Sequence, residues 1–424
     1  MNFKRLLLFL LTALALASGA SAERLQYYRH MVFRESPMED LRGRHEISAE
    51  QAKTTLHHRF RYNDLDRLIE VRRTVGDKVT RNPGSFEGFF WWAPQVRIEY
   101  LPGKEIRSFY NEAGDRIAAH GPVWRMEFTL DAQGRRTALH YFDKDGKPVN
   151  GYWGAHRYAW EHPEPGVVIE TRFALDGKPA PLRSNFLFQR VRLEFGHDDL
   201  LDTMLNIDAK GELVATESGS AVDRIVYDPW LNFTRWQVYD TQRRPKNGNA
   251  PMVATGEHVY DGLGQARMLR GFGEQGEDRA QDGLDGPFTY EYDERGNLTR
   301  QQNRNLKGEL QFEARLSYSA DGSRLEWGAV LRRPGPPGLA SGPATRDGRH
   351  GCTATAVQRP RLAHDAHPLW AGRQATGDLV SRRLARHAGA AAERLCRSFA
   401  CARPTTVHAA SQSSAVPVRP SESP

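Results

Sequence analysis

Short stretches of alternating apolar and polar residues recur along most of the chain, and most of them run into an Asp and a Gly. Phe288, Tyr290 and Tyr292 fall on one face of an extended segment, with Thr289 and Glu291 on the other. Ile225 with Tyr227 and Trp236 with Val238 repeat the pattern. Period-2 alternation predicts strands, and the Asp and Gly after each run predict the turns between them. An Asp side chain accepts hydrogen bonds from backbone groups further along, and a Gly supplies the positive φ that closes the reversal. The candidate turn residues are Asp131 with Gly134, Asp143 with Gly146, Asp208 with Gly211, Asp261 with Gly264, and Asp293 with Gly296. Weaker copies are Tyr110-Asn111-Glu112-Ala113-Gly114, Leu175-Asp176-Gly177, Tyr227-Asp228 and Tyr239-Asp240.

Spacing turns these copies into a repeat. By Asp position, one series runs 111, 143, 176, 208, 240, 273 and 305, and a second runs 131, 163, 196, 228, 261 and 293. Each step is 32 or 33 residues, and register survives where the Asp is lost, as in Phe272-Gly273-Glu274-Gln275-Gly276. Each unit reads as a pair of short hairpins with one short and one longer connection. No unit can bury its apolar face alone, so the copies must stack into a common core. The expected fold is all-β: tandem antiparallel hairpin repeats forming an extended or curved sheet.

The copies Tyr292-Asp293-Glu294-Arg295-Gly296-Asn297-Leu298 and Tyr260-Asp261-Gly262-Leu263-Gly264-Gln265 resemble the YD-repeat family of RHS-type bacterial surface proteins. The resemblance covers about Tyr100 to Trp327, with Tyr62-Asn63-Asp64-Leu65-Asp66-Arg67-Leu68 as a degenerate copy. It implies β-repeats that spiral, enclose a C-terminal cargo or display a binding surface. The autoproteolytic core motif of the shell-forming members has no match here.

The two ends are of other kinds. Lys4 and Arg5, the apolar run Leu6 to Leu16 and the small residues Ala20-Ser21-Ala22 predict a signal peptide over 1–22. The run is shorter than the ~20 residues a membrane span needs, and no later stretch approaches that length. The expected location is the periplasm or the cell exterior, with no transmembrane segment after signal removal. Residues 23–99 form an N-terminal segment with the degenerate first repeat, and 100–333 the array. In that segment Ser48 is a predicted N-cap with Gln51 completing a capping box, and His57 and His58 read as surface histidines. Residues 334–424 are rich in Arg, Ala and Pro and hold 12 Arg, no Lys and 5 acidic residues. The tail has no Lys, Ile, Asn, Tyr or Met, residue types with AT-rich codons, as expected of a GC-rich gene read in a shifted frame. A disordered basic extension and a small effector domain are the rival readings.

Charge changes one part of this picture. The formal net charge of +7 belongs to the tail, which leaves the body neutral, so nucleic-acid binding by the body is not expected. The three cysteines, Cys352, Cys396 and Cys401, also lie in the tail at spacings that make no zinc site. No catalytic motif, cofactor loop or metal-ligand spacing stands out in the body. Asp143-Lys144-Asp145-Gly146 opens like a calcium loop but lacks the later ligands. Phe89, Phe90, Trp91 and Trp92 are the candidate binding patch, for a protein or glycan partner. The expected function is therefore an exported binding or structural module without catalysis of its own. The alternative is the repeat scaffold of an effector whose functional domain is the tail or has been lost.

Overall fold

The computed structural model describes residues 23–84, 93–183, 186–196, 198–249, 252–280, 286–332 and 354–358. The fold is all-β, with 23 strands among the described residues joined in one antiparallel sheet. The chain opens with β1 (Arg24–Met31), β2 (Gly43–Glu46), the short helix α1 (Ala49–Ala52), β3 (Leu56–Tyr62), β4 (Leu68–Val75) and the two-residue β5 (Lys78–Val79). Strand β1 pairs with both β2 and β3, and β3 with β4. The array continues with β6 (Gln95–Leu101), β7 (Lys104–Tyr110), β8 (Arg125–Leu130), β9 (Arg136–Phe142), β10 (Arg157–Glu164) and β11 (Val167–Phe173). Next come β12 (Arg190–Phe195), β13 (Leu201–Asn206), β14 (Val222–Tyr227), β15 (Phe233–Tyr239), β16 (Thr255–Tyr260) and β17 (Ala266–Phe272). The last are β18 (Asp278–Arg279), β19 (Phe288–Tyr292), β20 (Leu298–Arg304), β21 (Leu310–Tyr318), β22 (Leu325–Arg332) and β23 (Ala354–Gln358). Apart from the two-residue β5 and β18, which lie beside β4 and β17, each strand from β3 onward pairs with the next in sequence, and the pairings do not close into a ring.

The Asp–Gly segments build the reversals. Asp131 donates its backbone N–H to the Arg135 carbonyl at 2.9 Å, and Gly134 donates to the Asp131 carbonyl at 3.0 Å. The Asp131 Oδ1 accepts from the amides of Gln133 and Arg135, both at 2.9 Å. Asp143, Asp208, Asp261 and Asp293 repeat these four bonds. Gly134, Gly146, Gly211, Gly264 and Gly296 all stand at φ between 75° and 96°, where a Cβ would crowd the backbone. Asn63 makes the same turn, so the degenerate first copy has the geometry of the others.

The two turn series do different jobs. Asp131, Asp228, Asp261 and Asp293 close tight hairpins, and the strand register shifts by a bulge just before each of them. Asn111, Asp143, Asp208 and Asp240 lie in the longer connections between hairpins, each followed by an isolated bridge such as Phe142 to Pro148. Position 176 is corrected by two residues. The turn there begins at Ala174, which accepts from Gly177, and Asp176 sits inside it.

The inward residues of the sheet form one main core, with Phe60, Phe109, Phe128, Leu139, Tyr141 and Phe188 at 0 % exposure. Burial of these large side chains is the main driving force for stacking the repeats. Ser48 caps α1 with both bonds of the capping box, as its sequence predicts. His57 and His58 are corrected: they lie in β3 at 1 % and 5 % exposure rather than on the surface. The His57 Nδ1–H donates to the Thr55 carbonyl at 2.8 Å, and because burial pushes the ring's pKa down to about 4 the neutral Nε2 accepts from the Thr74 hydroxyl at 2.9 Å. Among residues 334–424 only 354–358 are described, and there β23 extends the sheet from β22.

Candidate functional site

The aromatic patch Phe89, Phe90, Trp91 and Trp92 lies outside the described residues. The turn residues are described, and they do not converge. The tight turns and the long connections fall at opposite ends of the strands, so these Asp side chains form two dispersed rows. Their carboxylates are occupied by their own turn amides. Among the described residues no cluster of His, Cys, Asp and Glu could hold a metal ion.

Two other constellations do organise the molecule. The first explains the Tyr before the Asp. The Tyr100 hydroxyl donates to the Leu68 carbonyl at 3.1 Å, Tyr260 to Phe233 at 3.0 Å, Tyr292 to Ala266 at 2.9 Å and Tyr318 to Leu298 at 2.5 Å. Every acceptor is the first residue after the tight turn of the preceding hairpin. The Tyr is therefore a staple from one repeat to the one before it. In the middle of the array Leu130, His162 and Phe195 stand at that position. His162 Nε2 still reaches the Arg136 carbonyl at 2.8 Å, whereas Leu130 and Phe195 have no polar atom to offer.

The second constellation occupies the interior of that middle region. The connection from β1 to β2 is buried over Met31 to Pro37, at Glu39 and at Leu41, and it runs against strands from β7 to β15. The Phe33 ring stacks on Phe233 at 4.2 Å, and the Phe33 carbonyl accepts from the Tyr227 hydroxyl at 3.3 Å. Glu35 pairs with Arg183 at 2.9 Å, and the Ser36 hydroxyl donates to Glu170. Glu170 also accepts from the Trp160 indole at 2.8 Å and pairs with Arg172, both charged groups being 0 % exposed. Arg136 donates to the Met38 carbonyl at 2.7 Å and pairs with Asp40 and Glu105, each at 2.8 Å. Arg107 pairs with Glu105 at 2.5 Å. Glu39 turns back on its own segment, accepting from the amides of Glu35 and Ser36 at 2.8 and 2.9 Å.

Burial and pairing pull the acids of this cluster in opposite directions. Burial pushes the carboxyls of Glu35 and Glu39 up, and raises Asp223 well above the usual range with Glu35 adding to the effect. Burial would raise Glu105 too, but Arg107 and Arg136 outweigh it and hold its carboxyl below the ordinary value. The Ser36–Glu170 contact brings a hydroxyl to a carboxylate, yet the two residues are 1 % and 0 % exposed, so substrate cannot reach them. The cluster acts as a fastening that ties the N-terminal connection into the sheet.

The period-2 pattern carried a cue to this cluster. Glu105, Arg107 and Phe109 share one strand face, as do Glu170 and Arg172, and charges on a core face need buried partners. Arg107 and Arg172 pair with acids two residues away, but the contacts from the N-terminal connection, Ser36 to Glu170 and Met38 to Arg136, span 134 and 98 residues and lie beyond the reach of any local pattern.

On the outer face the strands carry charge pairs of the ordinary exposed kind, such as Arg192 with Glu164, Arg270 with Glu257 and Arg300 with Glu291. Guanidinium groups also lie over the outward aromatics that end the second strand of the hairpins. Arg97 is 4.0 Å from the Tyr110 ring, Arg125 is 4.7 Å from Phe142, Arg157 is 4.1 Å from Phe173 and Arg270 is 5.1 Å from Phe272.

Ladder, turns and interior together define an all-β, antiparallel repeat protein with an internal N-terminal segment. No family model and no curated protein matches the chain. Among solved structures it is similar to a porin-like protein from Bacteroides uniformis, with 13% identity, 64% of this chain and 87% of that one covered, and a TM-score of 0.18. It is also similar to the complex TcdB2-TccC3-Cdc42, with 12% identity and a TM-score of 0.16. That match covers 68% of this chain and only 18% of the other. At these scores neither likeness identifies a family or a function. No helix among the described residues is long and apolar enough to cross a membrane.

Proposed function

We propose that this chain is an exported, non-catalytic binding module built on YD-type repeats, which meets a protein or glycan partner through the outer face of its sheet. The observation that supports this reading is the N-terminal connection fastened inside the sheet. The space that a cargo-enclosing repeat shell would leave open is here occupied by Met31 to Leu41. The outer face offers a partner a regular grid of arginines, acids and aromatic rings. Such a surface suits polar recognition, because rings supply contact area and paired charges supply orientation.

The test is expression with the native N-terminus in a bacterial host, followed by cell fractionation, intact mass and limited proteolysis. The expected product begins at Glu23, lies outside the cytosol and resists protease to about Arg332. An uncleaved chain confined to the cytosol would sink the export reading. The purified product is then screened against immobilised glycans and surface polymers. Absence of any ligand, together with turnover of one of the screened substrates, would replace the module by an enzyme.

A further inference from the structure

Among the described residues, one of the outward aromatics that end the second strand of a hairpin, Tyr239, lacks the guanidinium cover found at Tyr110, Phe142, Phe173 and Phe272. Arg125 stands opposite Phe142 and Arg157 opposite Phe173 in the strand register, and each guanidinium covers the ring it faces. At the corresponding position of β14 the residue opposite Tyr239 is Val222. Arg224, placed two residues further along as Arg97 is relative to Tyr110, turns instead toward Asp202 at 3.7 Å. Among the described residues no guanidinium lies over Tyr239. A recess of about 180 Å³ opens there, lined by Thr203, Val222, Arg224, Tyr239 and Arg243.

Arg243 is the second departure. It occupies the turn position held by Gly114, Gly146, Gly211, Gly276 and Gly308 in the same series, and it does so at φ 61°. A left-handed Arg is strained relative to the Gly its repeat uses. Its exposed guanidinium has no ion-pair partner among the described residues and lines the recess. The recess thus combines a partly exposed aromatic ring without a guanidinium over it, one unpaired cation and a second cation held only at 3.7 Å from Asp202. Thr203 donates its hydroxyl to that same Asp202 at 2.6 Å. The local balance is one net positive charge. The volume is below the ~300 Å³ of drug-sized pockets, so it suits a single ring.

The geometry points to a binding site for a carboxylated sugar ring, a uronic acid unit, with the pyranose C–H face on Tyr239 and the carboxylate on Arg243 and Arg224. This rests on the binding-module reading and names the ligand class of one site on that face. Aromatic rings accept sugar C–H faces through the same electron-rich surface that holds cations. Arg is suited to the carboxylate because its planar fork offers paired donors.

The test titrates the full chain with the methyl glycosides of glucuronic and galacturonic acid, the matching neutral glycosides, and sodium acetate or sulfate, followed by calorimetry or tyrosine chemical shifts. The expected result is millimolar binding of the acid sugars and at least tenfold weaker binding of both the neutral sugars and the simple anions. Two variants lock the assignment. Arg243→Gly restores the turn residue of the repeat, so it should lose at least tenfold in affinity while melting no lower than the wild type. Val222→Arg should place over Tyr239 the guanidinium that Arg125 and Arg157 place over Phe142 and Phe173, and abolish binding. Equal affinity of wild type and Arg243→Gly, or acetate and sulfate binding as tightly as the acid sugars, would overturn the proposal. If acid sugars fail here while another glycan or a protein binds in the surface screen, this site is wrong and the module reading stands.

Discussion

The middle of the array and its C-terminal part are built from the same repeat but held together differently. From β16 onward the motif tyrosines, Tyr260, Tyr292 and Tyr318, bond each hairpin to the preceding one. From β8 to β13 the equivalent residues are Leu130, His162 and Phe195, and the holding is done by the charged N-terminal connection through Arg136, Glu170 and Arg183. Tyr227 stands at the junction: it keeps the hydroxyl but gives it to the Phe33 carbonyl of that connection. A YD motif therefore contains two separable pieces of physics. The Asp–Gly part is a local turn whose geometry survives where Ala174, Leu231 or Arg243 replaces one of its residues, whereas the Tyr part is a tertiary bond that is lost at Leu130 and Phe195, and made by His162 instead, where the internal segment fastens the sheet.

The most severe way to break the comparison is to remove Glu170. Its fully buried carboxylate holds Arg172, Trp160 and Ser36, so Glu170→Ala leaves a buried guanidinium without its counter-charge. The expected cost is about 3–5 kcal/mol. Removing Glu291 from its exposed pair with Arg300 should cost no more than about 1 kcal/mol. Urea unfolding of both variants checks this. Comparable midpoints would mean that the interior cluster does not fasten the middle repeats.

Acid should then separate the two regions by sign. Glu35, Glu39 and Asp223 have carboxyl pKa values raised by burial. Their contribution is fully present below the ordinary carboxyl range and is lost as pH rises through the folded values. His258, in β16, is pushed down to about 3 by burial, and His57 in β3 to about 4. Neutral rings favour the fold above about pH 6.5, and that contribution disappears as pH falls through the folded values. Between pH 7 and 4.5, hydrogen exchange corrected for its intrinsic rate should show β7 to β11 gaining protection. Over the same range β16 and β17 should lose about 2 kcal/mol. His258→Gln should flatten the second trend; if it leaves the slope unchanged, the buried ring is not its source.

How much of the molecule is legible in its sequence follows the same division. The turns at Asp131, Asp261 and Asp293 can be read because donor, acceptor and glycine all lie within five consecutive residues. The period survives even where Arg243 or Leu231 replaces the glycine. At position 176 the pattern misplaces the turn by two residues, because Asp176 resembles the motif while the turn itself begins at the featureless Ala174. His57 and His58 look like surface residues because their burial depends on β1 and on the residues around Asn82, not on their neighbours in sequence. The role of residues 31–41 is invisible for the same reason: nothing periodic marks a segment whose partners are distributed from β7 to β15.

The tyrosine staple is the next smaller effect. Tyr292→Phe removes one hydroxyl donor to the Ala266 carbonyl and leaves the ring packed, so the expected loss is about 1 kcal/mol. That loss should be local to the seam between β17 and β19, visible as faster exchange there and not in β8 to β13. A uniform loss across the array would show that the repeats unfold as one unit and that the seam has no separate energy.

The smallest effect has the opposite sign. Leu231 holds the left-handed position of the Asp228 turn at φ 64°, where Asp131, Asp261 and Asp293 are followed by glycine. A left-handed non-glycine residue costs about 1–2 kcal/mol, and the extra backbone entropy of glycine takes back roughly 0.5–1 kcal/mol. Leu231→Gly is therefore expected to raise stability by about 0.5–1 kcal/mol, read as a higher urea midpoint with an unchanged slope. The change should leave the Tyr227 bond to Phe33 in place, because that bond depends on the ring before the turn and not on the turn's fourth residue. A destabilised variant would mean that Leu231, half-buried beside Asn232 and Phe233, contributes packing that outweighs its backbone strain. In that event this turn, at the junction of the two regions, is held by its side chains more than by the backbone rule that governs the others.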